Sequence, residues 1–328
     1  MSHRSLVVFA GLGLLVVLAV GTVCGGTGAG EGQPPAPPPE GTPGDSPTIA
    51  GVQIFPADNP WNTDVSGYPV HPNSAAYIAS LGAGGRLHPD FGTFWDGHPI
   101  GIPFVVVPGT QPKVPMSFDY AEESDPGPYP IPPDAPIEGG PKAEGDRHIL
   151  VLDKDNQVLY ETWDSHPTPG GGWHCGSGAR FDLTSNKLRP EGWTSADAAG
   201  LPILPGLVRY DEVAAGAIHH ALRFTVQRTQ RAYVHPAVHF ASKSTDPNLP
   251  PMGLRLRLKA SFNIGPYPAS VQVILRALQQ YGMILADNGS NWFISGTHDT
   301  RWNDEELGTI RGVPGSAFEA VDTGPLVK

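Results

Sequence analysis

Apolar and polar residues alternate with period two through much of this chain, the mark of half-buried strands. The longest such run is His219–Ala241, with alternation on both sides of Gln227–Arg231. That central stretch reads as a turn. A three-residue loop at Arg228, Thr229 and Gln230 sets Thr225 opposite Tyr233, Arg223 opposite His235 and His219 opposite His239. One face of this expected hairpin carries those six polar side chains. The other carries Leu222, Phe224, Val226, Val234 and Val238. A slip of one residue would scatter the polar group.

The same pattern predicts further elements. Gly101–Val107 is a continuous apolar run, a buried strand. His148–Asp153 and Gln157–Asp164 flank Lys154-Asp155-Asn156 as a second hairpin. Ala179–Leu183 and Ala317–Val321 are short strands. In Leu254–Phe262, Leu254, Leu256 and Leu258 point one way and Arg255, Arg257 and Lys259 the other. Met283–Ala286 and Trp292–Ser295 are expected to pair across Asp287-Asn288-Gly289-Ser290. Helical spacing is rarer. Ser270–Tyr281 has an apolar stripe of Val271, Ile274, Leu275 and Leu278, with Ser270 placed to cap it and Gly282 to end it. Shorter helical patches are Ser74–Leu81, Asp211–Ala217 and Asp304–Ile310. Many short strands with one substantial helix predict a mainly β fold, a β-sandwich or jelly roll with the amphipathic helix 270–281 packed on it and long loops. The longest excursion, Asp119–Gly140, is dense in proline and acid, and such loops are often functional.

Composition adds an address. Met1–Arg4 is basic and Ser5–Val23 apolar, so residues 1–24 read as a signal peptide or N-terminal anchor. Cys24 admits lipidation, although Gly21-Thr22-Val23 is a poor match to a lipobox; ordinary cleavage nearby is the alternative. Residues 25–48, rich in glycine and proline, cannot bury enough apolar surface to fold and form a linker. Residues 49–328 then form a single β-rich domain with one cysteine, Cys175, which excludes a disulfide framework and a cysteine-based zinc site. The formal charge of -11 and the lack of basic clusters argue against nucleic acid. The expected protein is exported, secreted or tethered through its N-terminus, with the membrane met only there.

Gly206-Leu207-Val208-Arg209-Tyr210-Asp211-Glu212-Val213 with His220–Thr225, Met252–Phe262, and Tyr281–Gly296 resemble runs in a group of uncharacterised exported bacterial proteins. The resemblance covers most of Ile54–Val321. It implies export and a shared fold and supplies no activity.

Three sets of residues carry candidate chemistry. Arg223, Tyr233 and His235 on the hairpin, with His219 and His239, are the groups a polysaccharide lyase needs: a cation to neutralise a uronate, and a base and acid for elimination. Arg255, Arg257 and Lys259 would extend a cationic groove if they lie beside that hairpin. The competing reading is an ordinary solvated sheet face. A glycosidase instead needs two carboxyls, roughly 5–5.5 or 6.5–9.5 Å apart. Candidates are Asp146, Glu161, Asp164, Asp211, Glu212, Asp287 and Asp299, with Asp146 and Glu161 on paired strands. Trp163 and Trp292 are candidates for stacking on sugar rings. No metal site is assigned. His219 with His239 is the one pair suited to a transition metal, and the Asp287 turn with Asp299 to Ca2+. Cys175 or Ser177 with His174 would make a hydrolase of another kind. The expected function is an exported carbohydrate-active enzyme acting on an extracellular polysaccharide, glycoside hydrolase ahead of polysaccharide lyase. The alternative is a non-catalytic surface module that binds glycan, wall or protein. An enzyme should show a cleft overhung by the 119–140 or 164–178 loop.

Overall fold

The computed structural model describes residues 47–328, so the signal or anchor reading and nearly all of the linker lie outside the described residues. Within them the fold is mainly β, as expected, with seventeen strands and four short α-helices. The largest sheet has six strands in the order Phe318–Val321, Arg255–Leu258, Met283–Asn288, Leu222–Val226, Phe293–Ser295 and His88–Asp90. A second has four, in the order Ser177–Asp182, Val158–Trp163, Ile149–Asp153 and Phe104–Val107. A third joins His166–Thr168, Gly172–Cys175 and Met116–Phe118.

The four-stranded sheet has a core on each face. Leu150, Leu152 and Leu159 join the main core, which also holds Leu222, Phe224 and Ile284 of the six-stranded sheet. Ile149, Val151 and Tyr160 join a smaller core with Trp173 and Cys175. Burial on both faces is why Ile149–Asp153 reads as an unbroken apolar run. Its hairpin with Val158–Trp163 forms as predicted, with Leu150 paired to Glu161. The helix spans Ala269–Gln280 and buries Val271, Ile274, Leu275 and Leu278 completely. Ser270 does not cap it; its hydroxyl donates to Glu306 Oε2 at 2.6 Å. Among the described residues no helix is long and apolar enough to cross a membrane.

Two strand pairings differ from the expectation. The central hairpin does not form. Leu222–Val226 instead pairs with Met283–Asn288 in parallel and with Phe293–Ser295 antiparallel. Residues 232–241 are irregular, held by isolated bridges from Tyr233 to Met252 and Val327. Pro236 lacks an amide donor, and a turn closes from Ala237 N to Val234 O at 3.1 Å. The second difference follows from the first. Met283–Asn288 and Phe293–Ser295 do not pair with each other, because Leu222–Val226 lies between them. A strand with both faces covered gains more at the centre of a sheet than in an edge hairpin, and here one face is Leu222, Phe224 and Val226 and the other Arg223 and Thr225.

Candidate active site

The centre of the six-stranded sheet carries a buried arginine. Arg223 Nε and Nη2 grip both oxygens of Asp197, at 2.7 and 2.5 Å, and Nη1 donates to Ser295 Oγ at 2.6 Å. Asp197 comes from the loop after the four-stranded sheet and is buried. The adjoining turn passes directly over Arg223, close enough that a Cβ on Gly206 would meet Arg223 Cβ at 2.9 Å.

A β-bulge brings in the second acid. Phe224 pairs with Leu285, but Thr225 pairs with Asp287, so Ala286 is skipped. Strict alternation would put Asp287 on the opposite face from Arg223. The extra residue turns it onto the Arg223 face, 3.7 Å from Nη2. Asp287 hydrogen-bonds the Asp197 carboxylate. Burial and that neighbouring charge raise its carboxyl to about 8, with Arg223 opposing. It is therefore protonated at neutral pH. Its side chain keeps 29% exposure.

A third acid arrives from the long proline-rich excursion. Glu138 Oε2 lies 2.6 Å from His148 Nδ1. The other ring nitrogen, Nε2, faces the Ala196 carbonyl at 3.1 Å. A carbonyl only accepts, and the carboxylate also calls for a donor, so both nitrogens carry protons. Burial pushes the imidazole down, but Glu138, with help from Asp146, lifts it to about 9. Burial likewise pushes Glu138 up, and His148 outweighs it, with Arg223 adding, so Glu138 stays ionised below the usual carboxylate range.

Asp90 completes the group at the end of the edge strand, paired in register with Ser295. Desolvation and the charges of Glu138 and Asp146 raise its carboxyl, against Arg223. Asp90 and Asp146 are exposed to solvent. Five carboxyls, one imidazolium and one guanidinium thus act on one another here, with Asp287 protonated and Glu138 ionised.

The carboxylate and imidazole ligand atoms of Glu138, Asp146 and His148 lie within 4.8 Å of one another, a set that suits a divalent ion. Binding one through His148 would require the ring to surrender a proton now given to Glu138 or to Ala196 O.

The residues proposed from the sequence are dispersed. Asp146 and Arg223 fall in this group. Trp163 borders it, donating from Nε1 to Asp146 at 3.3 Å. Glu161 is fully buried. Its carboxylate accepts from Ile203 N at 3.0 and 2.8 Å and from Leu204 N at 2.8 Å, anchoring the loop that carries Asp197. Burial raises it to about 7, against those amide donors. Asp146 and Glu161 are not paired with each other. Asp211 is exposed on Arg301 at 2.8 Å, and Glu212 ties Arg209 at 2.6 Å and His220 at 3.2 Å. Tyr233 and His235 both bond Glu191 rather than facing Arg223. Arg255 and Arg257 are buried, donating to the carbonyls of Pro60 and Thr63 and of Val65, Ser66 and Tyr68, with Glu319 also on Arg257. They pin the segment 60–68 to the sheet instead of lining a groove with Arg223. Lys259 donates to Ser316 O at 2.9 Å. Trp292 is a core residue, 1% exposed.

The remaining readings also separate. His219 lies against the Tyr281 ring and His239 on the Ala198 carbonyl, so they do not form a metal pair. Asp299 is held by Arg301 at 2.5 Å. Cys175 is buried and its thiol is pushed up to about 11 by burial, which keeps it protonated. Ser177 Oγ donates to Ser195 O at 2.6 Å and is likewise buried.

No protein family, curated protein or solved structure matches this chain. The functional reading therefore rests on the geometry of this one site. Asp90, Glu138, His148 and Asp197 were not among the sequence candidates, and Asp287 was one of seven. Only Asp287 left a local trace, in Asp-Asn-Gly, and that signal reads equally well as a turn.

Proposed function

We propose that the protein is an exported carbohydrate-active enzyme, and that it hydrolyses glycosidic bonds in an extracellular polysaccharide at the Asp287–Glu138 site. One observation carries this reading. Asp287 is held protonated and Glu138 ionised, both act on Arg223, and each keeps part of its side chain exposed, 29% and 25%. Two carboxyls whose environments push their proton affinities apart are what acid–base hydrolysis of an acetal requires. Asp287 donates to the departing glycosidic oxygen. Glu138 deprotonates the incoming water or attacks the anomeric carbon itself, with His148 holding it ionised and in place. Asp90 is a further carboxyl whose proton affinity is raised, by desolvation and by the charge of Glu138. Elimination is the weaker reading, because the Arg223 guanidinium is already committed to Asp197 and cannot neutralise a uronate, and Tyr233 and His235 stand on Glu191.

The test is digestion of a panel of neutral and uronate-containing polysaccharides, read for new reducing ends and for the ultraviolet absorbance of an unsaturated uronate. Reducing ends without that absorbance are expected. Asp287→Asn and Glu138→Gln should each lower kcat by about 10²–10⁴. Unsaturated products, or variants that turn over at the wild-type rate, would refute hydrolysis at this site. Binding without any turnover would favour a glycan-binding module.

A further inference from the structure

Two walls lead away from the carboxyl group and enclose a cleft of about 530 Å³. One wall is the hairpin Phe94–Trp95 and His98–Pro99, which starts four residues after Asp90. Its return limb packs on the main chain of residues 296–298, directly after Ser295, at Gly101. The opposite wall is the proline-rich loop that carries Glu138, with Ile137 and Gly139 on the cleft. Pro167 and Trp173 also line it, so both the 119–140 excursion and the 164–178 loop border it. The cleft thus runs between the element rooted on Asp90 and the element bearing Glu138.

Its chemistry is unusual for an open surface. Phe94 is 54% exposed, on a two-residue strand facing Pro99. The ring stands edge-on to His298 with centroids 5.3 Å apart. No lysine or arginine lines the cleft, and its one acid is Asp134. An exposed aromatic face among prolines suits the C–H face of a sugar ring. The absence of lysine and arginine, next to a group of carboxyls, disfavours an anionic sugar, although His298 also lines the cleft. Trp95 is 74% exposed but, as the next residue on the strand, points to the other side of the hairpin with His98.

Resting on the hydrolase reading for its position, we infer that Phe94 is the stacking platform of a subsite for a neutral glycan, leading into the carboxyl group. The experiment is affinity electrophoresis of the full protein in gels containing xylan, mixed-linkage β-glucan or polygalacturonate. The wild type should be retarded by a neutral polymer more than by polygalacturonate. Phe94→Ala should weaken that retardation about two- to tenfold, and Phe94→Tyr should restore it. Trp95→Ala, on the outer face, should bind as the wild type does. Because Phe94 is half exposed, its truncation leaves the core untouched. Undiminished binding by Phe94→Ala, equal loss in Trp95→Ala, preference for polygalacturonate, or no binding to any polymer would each overturn the inference. Failure of the hydrolase reading is separable: Phe94-dependent binding with no turnover would leave the platform standing and remove hydrolysis alone.

Discussion

Arg223→Met tests the centre of the site. The side chain it removes makes three short hydrogen bonds, two to Asp197 and one to Ser295. Methionine keeps most of the volume, so the loss is electrostatic rather than a cavity. Asp197, with no side-chain exposure, is left as a buried carboxylate without its cation. Breaking a buried pair in this way costs about 3–5 kcal/mol, against a total stability of roughly 5–15 kcal/mol. Asp197→Asn should cost less, because Arg223 keeps Ser295 and has Asp287 at 3.7 Å as a substitute carboxylate. The double variant Arg223→Met/Asp197→Asn removes the orphaned charge and should recover about 2–4 kcal/mol of the single-variant loss. Urea unfolding followed by tryptophan fluorescence, with m unchanged across the four proteins, measures the cycle. A cost below about 1 kcal/mol for Arg223→Met, or a double variant no more stable than it, would refute the account of Arg223 as the cation that makes a buried Asp197 tolerable.

Further outcomes follow from the proton affinities. His148 holds its charge to about pH 9 in the folded protein but only to 6.5 when free. Its pairing with Glu138 therefore stabilises fully below pH 6.5 and is lost as pH rises through about 9. Asp287, raised to about 8, has the same sign: its contribution is present below the ordinary carboxylate range and gone above pH 8. Stability should thus fall on the alkaline side, and His148→Gln should remove only the later part of that fall; an unchanged alkaline limb in thermal melts at stepped pH would contradict this. Turnover should lose its alkaline limb near pH 8, and Asp197→Asn, by removing the charge that raises Asp287, should move that limb to lower pH. Glu161→Gln should keep turnover and Glu161→Ala should lose about 1–3 kcal/mol of stability, because the carboxylate serves as an acceptor for Ile203 and Leu204; loss of turnover in the glutamine variant with stability intact would make Glu161 catalytic after all.

Local periodicity alone determined most elements of this protein. Short apolar runs on either side of Lys154-Asp155-Asn156 marked Ile149–Asp153 and Val158–Trp163 and their turn, and the spacing of Val271, Ile274, Leu275 and Leu278 marked the helix. Both signals depend on neighbours a few residues away, so they survive in the bare chain. The mainly β class followed from their sum. Partners across the sheet were decided only by tertiary packing. Leu222–Val226 is compatible in pattern with residues 232–241, yet it buries both faces by entering between Met283–Asn288 and Phe293–Ser295. That choice dissolved the expected polar face of Arg223, Tyr233 and His235. The carboxyl group was still less legible, since its members come from residues 90, 138, 146, 148, 197, 223 and 287. Asp287 faces Arg223 only because one bulged residue reverses the strand's alternation. Their protonation states arise from burial and from each other's charge, and neither exists until distant segments are folded together.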